Sequence, residues 1–299
     1  MKKILVTGSN GLLGQKLIEK LVQNTKFEII ATAKGINRLP FKAGYKYFPL
    51  DITIEKEISD LFEKEKPDFV IHTAAMTNVD LCETEKEDCW QLNVKAVEYL
   101  ILACQANNSF LIHLSTDFIF DGLNGPYTEE GDANPLSFYG WSKYAAEKLI
   151  INSSINWAIA RTVLVYGIAH DMSRSNIILW VKNSLETGKS IKVVNDQWRT
   201  PTLAEDLADG CILIAEKEAK GIFNISGKDL LNPFQMAIMT ADFFDLDKSL
   251  ITEVDGSIFK QEAKRPAKTG FILDKAISTL GYKPKTFNEG IEFLAKQIS

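Results

Sequence analysis

Short apolar runs alternate with longer amphipathic stretches along the first 167 residues. The apolar runs predict buried strands over residues 4–6, 27–31, 69–71, 110–114 and 158–165. The amphipathic stretches predict helices over residues 12–21, 54–62, 89–106 and 143–151. Strands that alternate with helices at this spacing imply right-handed crossovers and a parallel sheet covered on both faces. The pattern therefore predicts an α/β fold with a doubly wound, Rossmann-like parallel sheet.

After Gly167 the alternation of predicted strands and helices becomes irregular. Helices are predicted over residues 177–186, 203–216, 233–244 and 274–280, and short strands over 191–194 and 221–225. We expect residues 1–167 to form the sheet domain, with 196–216 packing back on it. Residues 168–195 and 217–299 would form a smaller, irregular lobe. Open α/β sheets bind ligands beyond the carboxyl ends of their strands, which is where this lobe would close.

A glycine-rich turn directly follows the first predicted strand. Gly8, Gly11 and Gly14 form a GxxGxxG pattern that leads into the first helix. The first glycine permits a tight turn, the second lets a pyrophosphate approach the backbone, and the third lets the helix pack close to the sheet. The free N–H groups of the helix then face the phosphates. This position in a strand-turn-helix unit predicts a dinucleotide site.

The end of the second strand bears on which dinucleotide binds. A carboxylate that holds the ribose of NAD normally ends this strand, but residues 31–34 read Ala-Thr-Ala-Lys, and Arg38 follows. The cations Lys34 and Arg38 suit the 2′-phosphate of NADP better than a bare ribose. The sequence favours NADPH and leaves NADH open.

Tyr139 and Lys143 form a YxxxK pair on one face of a predicted helix. We expect the lysine ammonium, together with an oxidised nicotinamide, to lower the pKa of the tyrosine toward neutral pH and make it an acid-base group. Thr116, at the end of the fourth predicted strand, would add a hydroxyl that binds the substrate carbonyl. Together with the glycine turn, this pattern is typical of a nicotinamide-dependent oxidoreductase.

Composition and charge exclude several other classes. The 299 residues carry a formal net charge of −5, which argues against a nucleic-acid surface. The four cysteines have no CxxC spacing and are interpreted as buried free thiols, as expected in a reducing cytoplasm. The first apolar run is only one strand long and no run reaches 18 residues, so neither a signal peptide nor a membrane span is expected. We predict a cytoplasmic protein without a metal site.

Motifs along nearly the whole chain resemble the extended short-chain dehydrogenase/reductase family, and within it the dTDP-4-dehydrorhamnose reductases. The segments that carry the resemblance are TGSNGLLGQKL from Thr7, HTAAMTNVDLCE from His72, LNVKAV from Leu92, LSTDFIFDG from Leu114, GPYTEEGDANPLSFYGWSK from Gly125, ARTVLVYG from Ala160, DQWRTPT from Asp196 and KRPAKTGF from Lys264.

The resemblance implies a role for individual residues. Thr116, Tyr139 and Lys143 would be the catalytic trio. The cofactor would be bound by Gly8, Asn10, Gly11, Leu12, Leu13, Asp51, Ile52, Ala74, Ala75, Thr77 and Asn93, besides Lys34, Arg38, Tyr139 and Lys143. The substrate would lie along Asp117, Phe118, Asn176, Gln197, Thr200 and Arg265, with Arg265 as a diphosphate clamp.

The implied reaction is NAD(P)H-dependent reduction of the 4-keto group of a nucleotide-linked 6-deoxysugar. Whether the chain forms a homodimer is left open. Phe118 and Leu164 depart from the Tyr and Trp of the typical reductase pattern, which puts the exact sugar in question. Because Asp117 follows Thr116, an epimerase or dehydratase is an alternative. A non-catalytic subunit similar to the beta subunit of methionine adenosyltransferase is another. The segment 122–135 lacks periodicity and is interpreted as a movable lid.

Overall fold

The structure is a computed structural model that describes residues 1–24, 26–171 and 176–298. Its strands are, in chain order, β1 (Lys2–Thr7), β2 (Phe27–Ala33), β3 (Lys46–Pro49), β4 (Phe69–His72), β5 (Phe110–Thr116), β6 (Asn156–Thr162), β7 (Val165–Tyr166), β8 (Ile191–Val194), β9 (Thr202–Leu203), β10 (Gly221–Asn224) and β11 (Ile251–Val254). Its helices are α1 (Leu12–Gln23), α2 (Glu55–Glu65), α3 (Val79–Thr84), α4 (Lys86–Trp90), α5 (Ala96–Asn107), α6 (Phe138–Ile151), α7 (Ile177–Glu186), α8 (Ala204–Lys217), α9 (Pro233–Phe243) and α10 (Phe287–Ile298).

Seven strands form a central sheet in the order β10-β6-β5-β4-β1-β2-β3. Every pair in it is parallel, so each connection must cross over the sheet, and the intervening helices cover both faces. The predicted doubly wound α/β fold is confirmed. The strand order changes direction between β1 and β4, and such a switch point opens a crevice at the carboxyl edge of the sheet.

Alternate residues of the strands build two hydrophobic layers. In β1, Ile4 and Val6 pack with α1 and α8 on one face, whereas Leu5 packs with α2, α5 and α6 on the other. This alternation follows from the period of two in a strand, and burial on both faces requires the continuous apolar runs seen in the sequence. Helix α8 lies against α1, so the chain returns to the sheet domain after residue 203.

The remaining C-terminal segments form two small parallel sheets, one of β8 with β11 and one of β7 with β9. Helices α7 and α9 pack together and share a small hydrophobic core with β8 and β11. Strand β10 lies beside β6 in the central sheet, although the sequence assigned residues 217–299 to the smaller lobe. The sheet therefore takes one strand from beyond the expected boundary, and the division into two lobes stays a prediction.

The segment interpreted as a lid is packed against the body. The ring of Tyr127 stacks on Phe120 with 4.0 Å between ring centroids, and its backbone N–H donates to Gly270 O at 2.8 Å. Glu129 is buried and accepts a hydrogen bond from the backbone N–H of Asn224 at 2.8 Å. These contacts tie the segment to the sheet and do not favour a mobile lid.

Among the described residues, no helix has the length and apolar character needed to span a membrane.

Candidate active site

The glycine turn forms the floor of the crevice beside β1. Gly8 has φ of 69°, and a Cβ at this position would lie 2.8 Å from the backbone N of Ala74. A Cβ at Gly14 would lie 2.2 Å from Gly8 O, so α1 can approach the turn this closely only without a side chain there. Helix α1 begins after Gly11, which has no side chain to cap it, so its first N–H groups point toward the crevice.

A single cavity of about 1270 Å³ runs from this turn along the carboxyl edge of the sheet. That volume suits a dinucleotide together with a second ligand, since ordinary small-molecule pockets span about 300–1,000 Å³. Most residues that the sequence singled out line it, namely Gly8, Gly11, Leu12, Leu13, Lys34, Asp51, Ile52, Ala74, Ala75, Thr77, Thr116, Asp117, Phe118, Tyr139, Lys143, Gln197 and Arg265.

The three predicted catalytic residues come from two elements that meet at the cavity. Thr116 is the last residue of β5, while Tyr139 and Lys143 lie in the first two turns of α6. Ser137 caps this helix by accepting a hydrogen bond from Gly140 N at 3.2 Å, which fixes where the helix begins. All three side chains are almost fully buried yet reach the cavity wall.

Burial dominates the protonation of this trio in the protein alone. Burial raises the pKa of Tyr139, opposed by Thr116 and assisted by the nearby Asp117 carboxylate. Burial also lowers the pKa of Lys143 to about 8, with Glu147 acting in the opposite direction. The expectation that Lys143 and an oxidised nicotinamide together lower the pKa of Tyr139 concerns the protein with its cofactor and stays a prediction. Tyr139 rests as a neutral phenol.

Asp117 is tied into a buried network below Thr116. Its Oδ1 accepts a hydrogen bond from the Thr116 hydroxyl at 3.1 Å, and its Oδ2 accepts one from Thr269. The Arg199 Nε lies 3.5 Å from the same Oδ2, and both side chains of this ion pair are about 95% buried. Burial raises the pKa of Asp117, and the Arg199 guanidinium opposes that rise. Asp117 therefore orients Thr116 from within this network, and its predicted contact with the substrate stays a prediction.

Arg265 lines the far end of the cavity but already has an anionic partner. Its two terminal nitrogens each donate to one carboxylate oxygen of Asp80 at 2.6 Å. The arginine holds the pKa of Asp80 down at about 2. A phosphate at this guanidinium would have to replace or share the Asp80 carboxylate, so the predicted diphosphate clamp stays a prediction.

Lys34 and Asp51 lie together at the opposite end of the cavity. The ammonium is 2.7 Å from Asp51 Oδ2, and the side chain of Lys34 is 82% exposed. The hydrogen bond with Asp51 raises the pKa of Lys34. A long, exposed lysine can change partners at little cost, so this cation is available to a phosphate group.

Five predicted site residues are not among those that line the cavity. Asn10 ties the turn to the loop after β2 by donating to Ile36 O at 2.8 Å and accepting from Arg38 N at 2.9 Å. Four others also lie off the cavity lining. Asn93 bonds to Met76 and Ser142, Asn176 caps α7, and Thr200 pairs with Ser226. The fourth is the side chain of Arg38. Asn93 and Thr200 are buried and support the cavity wall from behind, whereas Arg38 is exposed and its predicted contact with the cofactor stays a prediction.

Both departures from the reductase pattern lie at the cavity. The ring of Phe118 meets Tyr139 edge to face, with 5.8 Å between ring centroids. Leu164 lines the cavity, is 45% exposed and has a φ of 38°, a conformation that costs a branched side chain energy. These two side chains give this end of the cavity an apolar wall.

Sequence reasoning missed two charged elements of the site. Arg199 was passed over although it lies between the predicted residues Gln197 and Thr200. The ion pair of Glu147 with Arg161, behind Lys143, was not anticipated either. Glu147 lies one turn after Lys143 on the same helix face, and that spacing was the available signal.

Within the described residues, no group of three or more His, Cys, Asp or Glu side chains is placed to hold a metal.

The parallel sheet, the glycine turn and the Thr116–Tyr139–Lys143 trio together define an NAD(P)-dependent oxidoreductase of the extended short-chain dehydrogenase/reductase class. More narrowly, the chain belongs to the RmlD substrate binding domain family, which matches residues 1–299.

Proteins of two different kinds are similar to this chain at 30% identity. The chain is 30% identical to a dTDP-4-dehydrorhamnose reductase of Aggregatibacter actinomycetemcomitans, covering 98% of each chain. It is also 30% identical to the methionine adenosyltransferase 2 subunit beta of Rattus norvegicus, covering 97% of this chain and 86% of the relative. Among solved structures, a dTDP-4-dehydrorhamnose reductase from Clostridium acetobutylicum is similar with a TM-score of 0.86, at 26% identity and 99% coverage of both chains.

Proposed function

We propose that the chain reduces the 4-keto group of a nucleotide-linked 6-deoxysugar, with dTDP-4-dehydro-L-rhamnose as substrate and dTDP-L-rhamnose as product. The observation that carries this proposal is the complete trio of Thr116, Tyr139 and Lys143 on the wall of the cavity that also contains the glycine turn. The relatives named as dTDP-4-dehydrorhamnose reductases support the choice of sugar.

The residues divide the chemical work as follows. The glycine turn would hold a nicotinamide cofactor, which would supply the hydride that the carbonyl carbon needs. Tyr139 gives the hydroxyl proton to the carbonyl oxygen, and its raised pKa means that this proton is present at neutral pH. The Thr116 hydroxyl donates to Asp117 in the protein alone and positions the same oxygen once its hydrogen turns from Asp117 to the carbonyl. The Lys143 ammonium stabilises the phenolate that forms and binds the cofactor ribose.

The cofactor is proposed to be NADPH in preference to NADH. Lys34 follows directly after β2 at the edge of the cavity, in the place where a carboxylate that holds a ribose 2′-hydroxyl would end the strand. The nearby carboxylate of Asp51 comes from beyond β3 and is paired with Lys34 at 2.7 Å. A 2′-phosphate could take the place of Asp51 as the partner of Lys34. Kinetics with both cofactors measure this preference directly.

A reductase is favoured over a dehydratase because of Asp117. A dehydratase needs an acid next to the catalytic hydroxyl that can reach the sugar. Both oxygens of Asp117 are engaged by Thr116, Thr269 and Arg199, and the residue is 2% exposed. Product analysis separates these reactions, since only the reductase consumes reduced cofactor.

The experiment follows NADPH and NADH oxidation at 340 nm with dTDP-4-dehydro-L-rhamnose generated in situ. We expect Tyr139→Phe to lower kcat by about 10²–10⁴-fold, because it removes the proton donor and leaves the cavity unchanged in shape. Tyr144→Phe is the matched control, since this half-buried tyrosine of the same helix does not line the cavity. Equal turnover of Tyr139→Phe and the natural chain would contradict the assignment.

A second candidate function is a non-catalytic subunit, which the 30% identity to methionine adenosyltransferase 2 subunit beta favours. Such a protein would bind a nicotinamide cofactor without turning over any sugar nucleotide. Recovery of a stoichiometric protein partner from the source cells, together with no cofactor oxidation by the natural chain, would support this function over the reductase.

A further inference from the structure

Lys143 has a direct partner that the proposed mechanism does not use. Its Nζ lies 3.1 Å from Nε2 of His113, which lies on β5 three residues before Thr116. The lysine is 3% exposed and the histidine is fully buried. A hydrogen bond between two side chains in such a dry environment is strong, because no water competes for either group.

The contact with Lys143 is the only polar contact that the ring of His113 makes among the described residues. Its other nitrogen, Nδ1, is buried and has no hydrogen-bond partner there. A buried histidine with a purely structural role normally satisfies both nitrogens, since each unpaired buried polar atom costs stability. The position of the ring is instead set by stacking on His72, with 5.3 Å between centroids and 30° between planes.

His72 is itself held in place by β1. Its Nδ1 lies 2.7 Å from the Thr7 hydroxyl, and that hydroxyl oxygen accepts a hydrogen bond from Thr73 N at 3.2 Å. The hydroxyl hydrogen of Thr7 is therefore directed at His72 Nδ1, which places the ring proton of His72 on Nε2. Three adjacent strands thus fix the stacked pair of imidazoles beneath Lys143.

Lys143 is the group in this cluster that carries the positive charge. Burial lowers the pKa of His72 to about 3 and holds the pKa of His113 well below its usual range, so both rings are neutral. The ammonium therefore donates, and Nε2 of His113 accepts. The other titratable groups that influence Lys143 are Glu147 on its own helix and Cys89 on α4. Glu147 is already bound by Arg161 through two hydrogen bonds.

We propose that His113 is a positioning residue, which keeps Lys143 in its ammonium form and directs its remaining N–H groups toward the cavity. A hydrogen bond to the charged form of a group favours that form, so Nε2 offsets part of the cost of burying the ammonium. The catalytic role of Lys143 rests on the proposed function, whereas the effect of His113 on the Lys143 ammonium does not.

The test measures the titration of Lys143 in the full-length protein without substrate. Proton–carbon NMR of lysine Cε in ¹³C-lysine-labelled protein follows the ionisation, and Lys143→Met identifies the resonance. We expect a midpoint near pH 8 in the natural chain. His113→Phe keeps a flat ring in the stack but removes Nε2. It should lower the midpoint by about one to two pH units, the amount expected for a lost hydrogen bond to a charged group.

Two further variants separate this role from simple packing. His113→Gln offers an amide oxygen to the ammonium and should return the midpoint to within about half a pH unit of the natural value. Leu111→Val changes a buried side chain on the same face of β5 without touching Lys143, and should leave the midpoint unchanged. His113→Leu replaces His113→Phe if the larger ring prevents folding, as judged by circular dichroism.

An unchanged midpoint in a folded His113→Phe or His113→Leu protein would overturn the proposal, as would a lowered midpoint that His113→Gln does not restore. In the enzyme assay, the alkaline limb of kcat should move to lower pH by the same amount. A shifted NMR midpoint in a chain that turns over no sugar nucleotide would support the role of His113 and count against the reductase. The two proposals can therefore fail separately.

Discussion

The buried ion pair of Glu147 and Arg161 supports the strongest prediction about stability. Its two side chains are 0% and 5% exposed, and two parallel hydrogen bonds of 3.0 and 2.8 Å join them. Glu147→Gln preserves the shape of the side chain but leaves the guanidinium buried without a counter-charge. The guanidinium would keep its hydrogen bond to Glu129 O at 2.9 Å and its position over the Phe120 ring, 5.4 Å from the ring centroid, but neither partner carries a negative charge.

Breaking one partner of a buried pair costs about 3–5 kcal/mol, because the other charge stays desolvated. Unfolding entropy is about 2.1 cal/mol/K per residue, which for the 299 residues amounts to about 0.6 kcal/mol/K. The expected loss therefore corresponds to a drop of about 5–8 °C in Tm. Urea unfolding followed by circular dichroism measures the free energy, and a thermal scan measures Tm.

The chain offers a matched control in α10. Glu292 and Lys296 form an ion pair of similar length, 2.7 Å, but their side chains are 57% and 71% exposed. Glu292→Gln should cost less than about 0.5 kcal/mol, because water screens the pair. Equal and small losses in Glu147→Gln and Glu292→Gln would refute the reasoning, since burial could not then be what makes the inner pair matter. Adding Arg161→Met to Glu147→Gln should recover part of the loss.

Two other predictions follow from the glycine turn and from the histidine stack. Gly14→Ala should raise the dissociation constant for NADPH at least about tenfold, because the new Cβ would lie 2.2 Å from Gly8 O and must displace the turn. Cofactor fluorescence measures the binding, and an unchanged affinity would contradict the close packing. The free energy of unfolding should fall as pH drops from about 6.5 toward 3, since burial lowers the pKa of His72 from 6.5 to about 3 and the unfolded chain takes up the proton first. Urea unfolding at pH 7 and pH 5 tests this, and His72→Gln should lose less stability over that interval than the natural chain.

The sheet was predictable where strands are buried on both faces and not where they lie at an edge. Strand β1 and its neighbours were predicted because each is a continuous apolar run in the sequence. Strand β3 escaped prediction because its four residues, Lys46–Pro49, are exposed or half-buried at the end of the sheet and carry no such run. Strand β10 was recognised as a strand, but its pairing with β6 is a long-range contact that local periodicity does not encode.

One predicted helix also differs in a way that affects the site. Residues 89–106 have a continuous helical pattern, yet the structure inserts a π-helical turn at Gln91–Lys95 between α4 and α5. Within this turn the Asn93 side chain is buried, where it bonds to Met76 and Ser142 behind the cavity. A π-turn adds a residue to one turn and shifts the side chains that follow, which a fixed period of 3.6 cannot anticipate.

Motif spacing was enough to place the trio and the glycine turn at one cavity, because parallel strands deliver their carboxyl ends to the same edge. It could not supply the partners of the charged groups. Arg199 reaches Asp117 from 82 positions further along the chain, and His113 reaches Lys143 from a different element. The partner of each charged group depends on packing between distant segments, which spacing within a motif does not encode.

Burial explains why these partners decide the chemistry. Desolvation keeps Tyr139 protonated, both stacked histidines neutral and Lys143 close to losing its proton at pH 8. A raised pKa keeps the proton on Tyr139 at neutral pH but also makes the phenol a weaker acid, so proton transfer to a carbonyl depends on stabilising the phenolate that forms. The Lys143 ammonium supplies that stabilisation only while it keeps its own proton. In this dry environment a buried charge without a polar partner is costly, as Asp117 would be without Arg199 and Lys143 without His113. Proton transfer therefore depends as much on the residues behind the trio as on the trio itself.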